Sequence, residues 1–136
     1  MPQMPRIQEV VMPILRAAPA LQGVTISSWV ADIDYRKFPM INIRRIGGAR
    51  LRNHPTKLSI PTIEMTCYGI ENLIETERMY DDALEALYEA VRTQQQTPKG
   101  YLHSIREPMG MTQFSSPFQD SWRVQGLIAL GQRPPK

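Results

Sequence analysis

The chain has 136 residues, the size of one domain able to bury about two-thirds of its unfolded surface. Hydrophobic residues at 42% and charged residues at 21% exclude a disordered chain, and a lone cysteine, Cys67, excludes an intrachain disulfide, so a reducing compartment is the simplest setting. The net charge of +3 conceals an asymmetry: no acid lies between Asp34 and Glu64 but seven bases do (Arg36, Lys37, Arg44, Arg45, Arg50, Arg52 and Lys57), leaving nine of the 16 bases against all 13 acids elsewhere.

The opening MPQMP (1–5) and the closing stretch 131–136 are Pro-rich and expected to be mobile ends of a single domain over 1–136. The N-terminus lacks the charged-then-apolar design of a secretory signal, and no apolar run approaches the ~20 residues that span a bilayer, so a soluble protein used inside a cell is expected, with no membrane partner. Ile7, Val10, Val11, Ile14 and Leu15 recur at helical spacing, Pro5 suits a first turn, and Pro13 predicts a kink or a short helix. VTISSWV (24–30), FPMINIRRI (38–46) and IPTIEMTCYG (60–69) read as strands, the last with Ile63, Met65 and Cys67 on one side.

Between the second and third strands lies RRIGGARLRNHP (44–55), four arginines and a histidine around a glycine pair. A phosphate-binding P-loop would need Gly-x4-Gly-Lys-Ser/Thr leading into a helix, and neither the Lys-Ser/Thr nor the helix follows. The glycines more simply supply positive φ for a turn. Clustered arginines are an electrostatic footprint of nucleic-acid binding, yet no aromatic lies between Phe38 and Tyr68 to stack on bases. A solvated loop, a protein contact and a nucleic-acid contact all remain open from these residues alone.

Residues 70–92, IENLIETERMYDDALEALYEAVR, predict a long helix of about 35 Å whose apolar stripe is Ile70, Leu73, Ile74, Tyr80, Leu84, Leu87, Tyr88 and Val91. Its other face is acidic, with Glu71, Glu75, Glu77, Asp81, Asp82, Glu85 and Glu89 against Arg78 and Arg92. Like charges four apart cost about 0.2 to 0.5 kcal/mol a pair on an isolated helix. A basic loop and an acidic helix on one domain suit a head-to-tail ring, in which Arg44, Arg45, Arg50, Arg52 and Lys57 of one subunit meet Asp81, Asp82, Glu85 and Glu89 of the next. TPKG ends the helix, and YLHSIRE (101–107) and DSWRVQGLIALG (120–131) read as paired strands, the latter with Trp122, Val124, Ile128 and Leu130 on one face. The connection between them, 107–120, carries Met109, Met111, Phe114 and Phe118, which either fold back on their own sheet or contact a tail or another subunit.

The order predicts an α+β fold: a mainly antiparallel sheet of about five strands, with a long amphipathic helix and a shorter N-terminal helix packed on it. His54, His103 and Cys67 have no local nucleophile–base arrangement and no converging metal ligands, so no catalytic residue, metal or cofactor is expected.

DIDYRKFPMINIRRIGG, IENLIETERMYDDALEALYEAVR and GYLHSIREPMGMTQFSSPFQDSWRVQGLI together resemble the tail terminator proteins of long-tailed bacteriophages, particularly those infecting actinobacteria. The resemblance runs from Ile7 to about Pro135 and rests on a continuous pattern rather than a catalytic signature. It implies a small α+β virion protein forming a hexameric ring on the head-proximal end of the tail tube, non-enzymatic, in contact with the tube protein and with head connector or stopper proteins. DNA would pass through the lumen without sequence-specific binding. Another head–tail connector or tail completion protein, or a small DNA-binding protein, are the alternatives.

Overall fold

The structure, a computed structural model, describes residues 4–28 and 37–136. Arg36 and the end of the strand expected over 24–30 lie outside the described residues. The elements follow in the order α1 (Ile7–Ala17), a 3-10 turn (Pro19–Leu21), β1 (Thr25–Ser27), β2 (Met40–Arg50), β3 (Ser59–Gly69), α2 (Leu73–Thr93), β4 (Tyr101–Phe114) and β5 (Trp122–Arg133). The strands form one sheet in the order β1-β2-β3-β5-β4; β1 pairs parallel to β2 and the other pairs are antiparallel. This is the α+β architecture that the order of patterns implies.

Strand alternation builds the core. Ile41 and Ile43 of β2, Ile63, Met65 and Cys67 of β3, and Val124, Ile128 and Leu130 of β5 point to one face and are fully buried. Both helices lie there. Ile7, Val10, Val11, Ile14 and Leu15 of α1 are all buried, and α1 runs through Pro13 but is only 11 residues long. On α2 the buried residues are Thr76, Met79, Tyr80, Ala83, Leu87 and Ala90. The expected stripe is therefore rotated: Tyr80 and Leu87 belong to the buried face and Leu73, Leu84 and Val91 flank it, but Ile70 and Ile74 are 52% and 62% exposed and Tyr88 faces outward. α2 starts later than expected because Asn72 caps it, its Oδ1 accepting from the Glu75 backbone N–H at 2.7 Å.

Tyr80 fixes how close α2 sits to the sheet. It is completely buried, and a Cβ at Gly126 would lie 1.9 Å from its hydroxyl oxygen. Only glycine at that point of β5 leaves room for the phenol end of the ring. The opposite face of the sheet is polar, with Asn42, Arg44, Glu64, Thr66, Arg123 and Gln125 in register across β2, β3 and β5.

Three strands are longer than the patterns suggest. β2 continues through the arginine segment to Arg50, so the glycine pair lies within a strand and the hairpin turns at 51–58, where Leu51 N–H donates to the Leu58 carbonyl at 2.8 Å. Gly47 and Gly48 do take positive φ (148° and 89°), beside a bulge between Arg45 and Gly47. A side chain at Gly48 would meet the Ile60 carbonyl oxygen at 2.2 Å. β4 runs to Phe114, absorbing most of the expected 107–120 loop, with register shifts at Leu102/Ser104, Arg106/Met109 and Met109/Thr112. Those bulges and Pro108 blunt an edge strand that would otherwise template pairing. At the C-terminus, Gly131–Arg133 belong to β5 rather than to a separate tail, and the Gln132 amide donates to the Pro5 carbonyl (2.9 Å) and to Ser59 Oγ (3.0 Å).

Candidate interaction surfaces

Among the described residues there are no groups of three or more His, Cys, Asp or Glu able to hold a metal. Cys67 is fully buried, and desolvation pushes its thiol well above the ordinary value, which makes it inert packing rather than a nucleophile. His54 sits in the exposed hairpin turn and His103 on the exposed side of β4.

The five basic candidates divide into two groups. Arg44 points to the polar face and pairs with Glu64 across β2 and β3 at 2.9 Å. Arg45 turns back on its own strand, donating to the carbonyls of Gly47 (3.1 Å) and Gly48 (3.2 Å), so it braces the bulge. Arg50, Arg52 and Lys57 are exposed and form no ion pair among the described residues. Two bases were thus spent inside the chain, which linear spacing could not reveal.

The bulge also decides which way Arg50 points. Arg45 is in register with Ile63, and Arg50 with Ser59. Both partners are odd-numbered residues of β3, on the helix-covered side, so two arginines five positions apart share one face. There they meet Arg6, the residue capping α1, and together with Ser59 line a notch of about 120 Å³ containing no acid. Arg6 was missed from the sequence because it lies far from the arginine segment and belongs to no charge run.

The acidic candidates divide likewise. Glu89 forms an ion pair with Arg92, which holds its carboxyl below the ordinary value, and Glu75 pairs with Arg78 at 2.9 Å. Asp81, Asp82 and Glu85 are exposed within one turn of α2 and have no ion pair among the described residues. Beyond α2, Tyr88 reaches over to β4, its hydroxyl donating to Glu107 at 2.7 Å; that hydrogen bond is the main reason its phenol stays protonated to higher pH than usual.

The apolar candidates do not act together. Phe118 folds back on its own sheet, its ring 5.1 Å from Tyr68 and 5.9 Å from Phe38. Phe114 and Met111 remain exposed at the end of β4, and Met109 is half-buried. The Phe114 ring is held by the Arg123 guanidinium, 5.1 Å from its centroid, while Arg123 also donates to Gln125 at 2.6 Å and Gln125 accepts from Thr66. Arg123 is a second residue that the sequence pattern did not single out.

Residues 3–136 match the model of a family described as phage tail termination protein. The chain is 60% identical over 136 residues to the gene 22 protein of Mycobacterium phage L5, covering 100% of this chain and 98% of that one. It is 62% identical over 133 residues to the gene 22 protein of Mycobacterium phage D29, covering 98% and 96%. Among solved structures, a chain from the virion of a native gene transfer agent particle shares the fold, with a TM-score of 0.68 and 13% identity over 93% of this chain and 94% of that one.

Proposed function

Because this chain belongs to the phage tail termination protein family, we propose that it assembles as a homohexameric ring on the head-proximal end of the tail tube. The ring ends tube polymerisation and forms the joint to the head connector or stopper proteins. The protein then resides in the virion neck, after assembly in the host cytoplasm, and acts by contact rather than by catalysis.

The observation that carries this reading beyond family membership is the separation of unpaired charge on the folded chain. Arg50, Arg52 and Lys57 stand at one end of the sheet, and Asp81, Asp82 and Glu85 stand on the outer face of α2. Surfaces of opposite sign on one subunit give a heterologous contact, which closes into a ring when the rotation per subunit divides a full turn. The exposed Met111 and Phe114 supply a separate apolar patch for the tube or for a neighbouring subunit.

The direct test adds purified protein to polymerising tail-tube subunits. Growth should stop, and electron microscopy should show extra ring-shaped density at one end of each tube. Tubes that lengthen at the same rate with no terminal density would overturn the capping role.

A further inference from the structure

We propose that the notch lined by Arg6, Arg45 and Arg50 is a carboxylate-receiving socket for a second copy of this chain, filled by the acidic turn Asp81, Asp82 and Glu85 of its α2. The inference rests on the ring reading above and names the residues that would make its subunit contact.

The notch is built, not accidental. The bulge at Arg45/Gly47 turns Arg50 to the same side as Arg45, and the start of α1 brings Arg6 to them from almost forty residues upstream. Arg45 keeps its Nε and one terminal nitrogen on the Gly47 and Gly48 carbonyls, which fixes its plane and leaves the remaining terminal nitrogen without a hydrogen bond among the described residues. Arg6 and Arg50 have no ion pair among the described residues. Planar guanidiniums converging without a local acid match the forked geometry of a carboxylate. A volume of about 120 Å³ admits the end of an acidic side chain, not an extended ligand.

The occupant follows from what the same chain leaves unpaired. Asp81, Asp82 and Glu85 repel one another along α2, and none of them forms an ion pair among the described residues. Guanidiniums from a neighbour would relieve that repulsion and their own at once. Nucleic-acid phosphate is the competing anion, but the notch has no aromatic residue to stack a base.

The test uses full-length chains and two charge reversals: Arg6→Glu with Arg50→Glu, and Asp82→Lys with Glu85→Lys. Arg45 is left alone because it braces the bulge. All four altered residues are exposed and form no ion pair among the described residues, so the urea unfolding midpoint should not move in either variant. Sedimentation velocity at low salt should show each variant self-associating more weakly than the unaltered protein by more than about tenfold. An equimolar mixture should recover assembly, since alternating the two variants around an even-numbered ring makes every interface complementary. Unchanged self-association of the arginine variant, or a mixture that stays dissociated, overturns the socket. So does a variant that loses only binding to a short DNA duplex, which would assign the notch to phosphate. None of these outcomes depends on tube capping, so the socket and the capping role can fail separately.

Discussion

Gly126→Ala tests how α2, and with it the acidic surface, is seated on the sheet. A methyl group there would lie 1.9 Å from the Tyr80 hydroxyl oxygen, 2.9 Å from its Cζ and 3.0 Å from the Met109 carbonyl oxygen. Carbon contacts settle near 3.5 to 4.0 Å, so the ring or the strand must move. Tyr80 is completely buried and cannot swing into solvent without lifting α2 from β5. Overpacking alone costs about 1 to 3 kcal/mol, and part of the ring's burial is lost as well, so we expect roughly 2 to 4 kcal/mol. Tyr80→Leu, which removes both the hydroxyl and Cζ, should itself cost about 1 to 3 kcal/mol. In that background only the Met109 contact remains, and Gly126→Ala should cost less than about 1 kcal/mol. Urea unfolding of the four proteins, analysed by linear extrapolation, measures the coupling directly. Costs that add to within about 0.5 kcal/mol would refute the close approach of Tyr80 to Gly126.

The two phenylalanines of the 107–120 segment should behave oppositely. Phe118→Ser removes a ring packed on Tyr68 and Phe38 and should lower stability by about 1 to 3 kcal/mol, whereas Phe114→Ser should leave the unfolding midpoint unchanged and impair attachment to tails. Burial pushes the pKa of Cys67 and of Tyr80 well above their ordinary values of 9.0 and 10.0, so the folded state favours their neutral forms. Stability from these groups is fully present at neutral pH and falls as pH rises past about 9, which a series of unfolding midpoints from pH 7 upward would show. Native protein should likewise resist iodoacetamide until urea exposes Cys67.

What the sequence made legible was what local periodicity controls. The five apolar residues of α1 are all buried, and Ile63, Met65 and Cys67 share the core face of β3 as alternation requires. The start of α2 misled because Ile70 and Ile74 match a helical period but precede or flank the point where the helix meets the sheet. Residues 107–114 read as a loop because Pro108, Gly110 and two register shifts break the period-two pattern of a strand that is nonetheless paired with β5. The charged site was legible in composition but not in allocation. Whether Arg44 is free depends on Glu64 lying opposite it twenty residues later, and whether Arg50 joins Arg45 depends on one unpaired residue between them. Both are matters of cross-strand register, which no window along the chain contains.

That unpaired residue makes the strand behave like a reading frame. With Ile46 left out of the pairing, positions 45 and 50 fall on the same side; were Ile46 drawn into the ladder, five steps of strict alternation would carry Arg50 to the side of Arg44 and Glu64. Deleting Ile46 would leave four regular steps and keep Arg50 beside Arg45, whereas closing the bulge at unchanged length would preserve every arginine and the net charge yet invert the outward parity of the hairpin's far half. Relatives of equal length that pair this segment without the bulge are therefore expected to differ in which neighbours they accept, however alike their compositions, whereas arginine-to-lysine exchanges that keep the bulge leave the side of presentation intact.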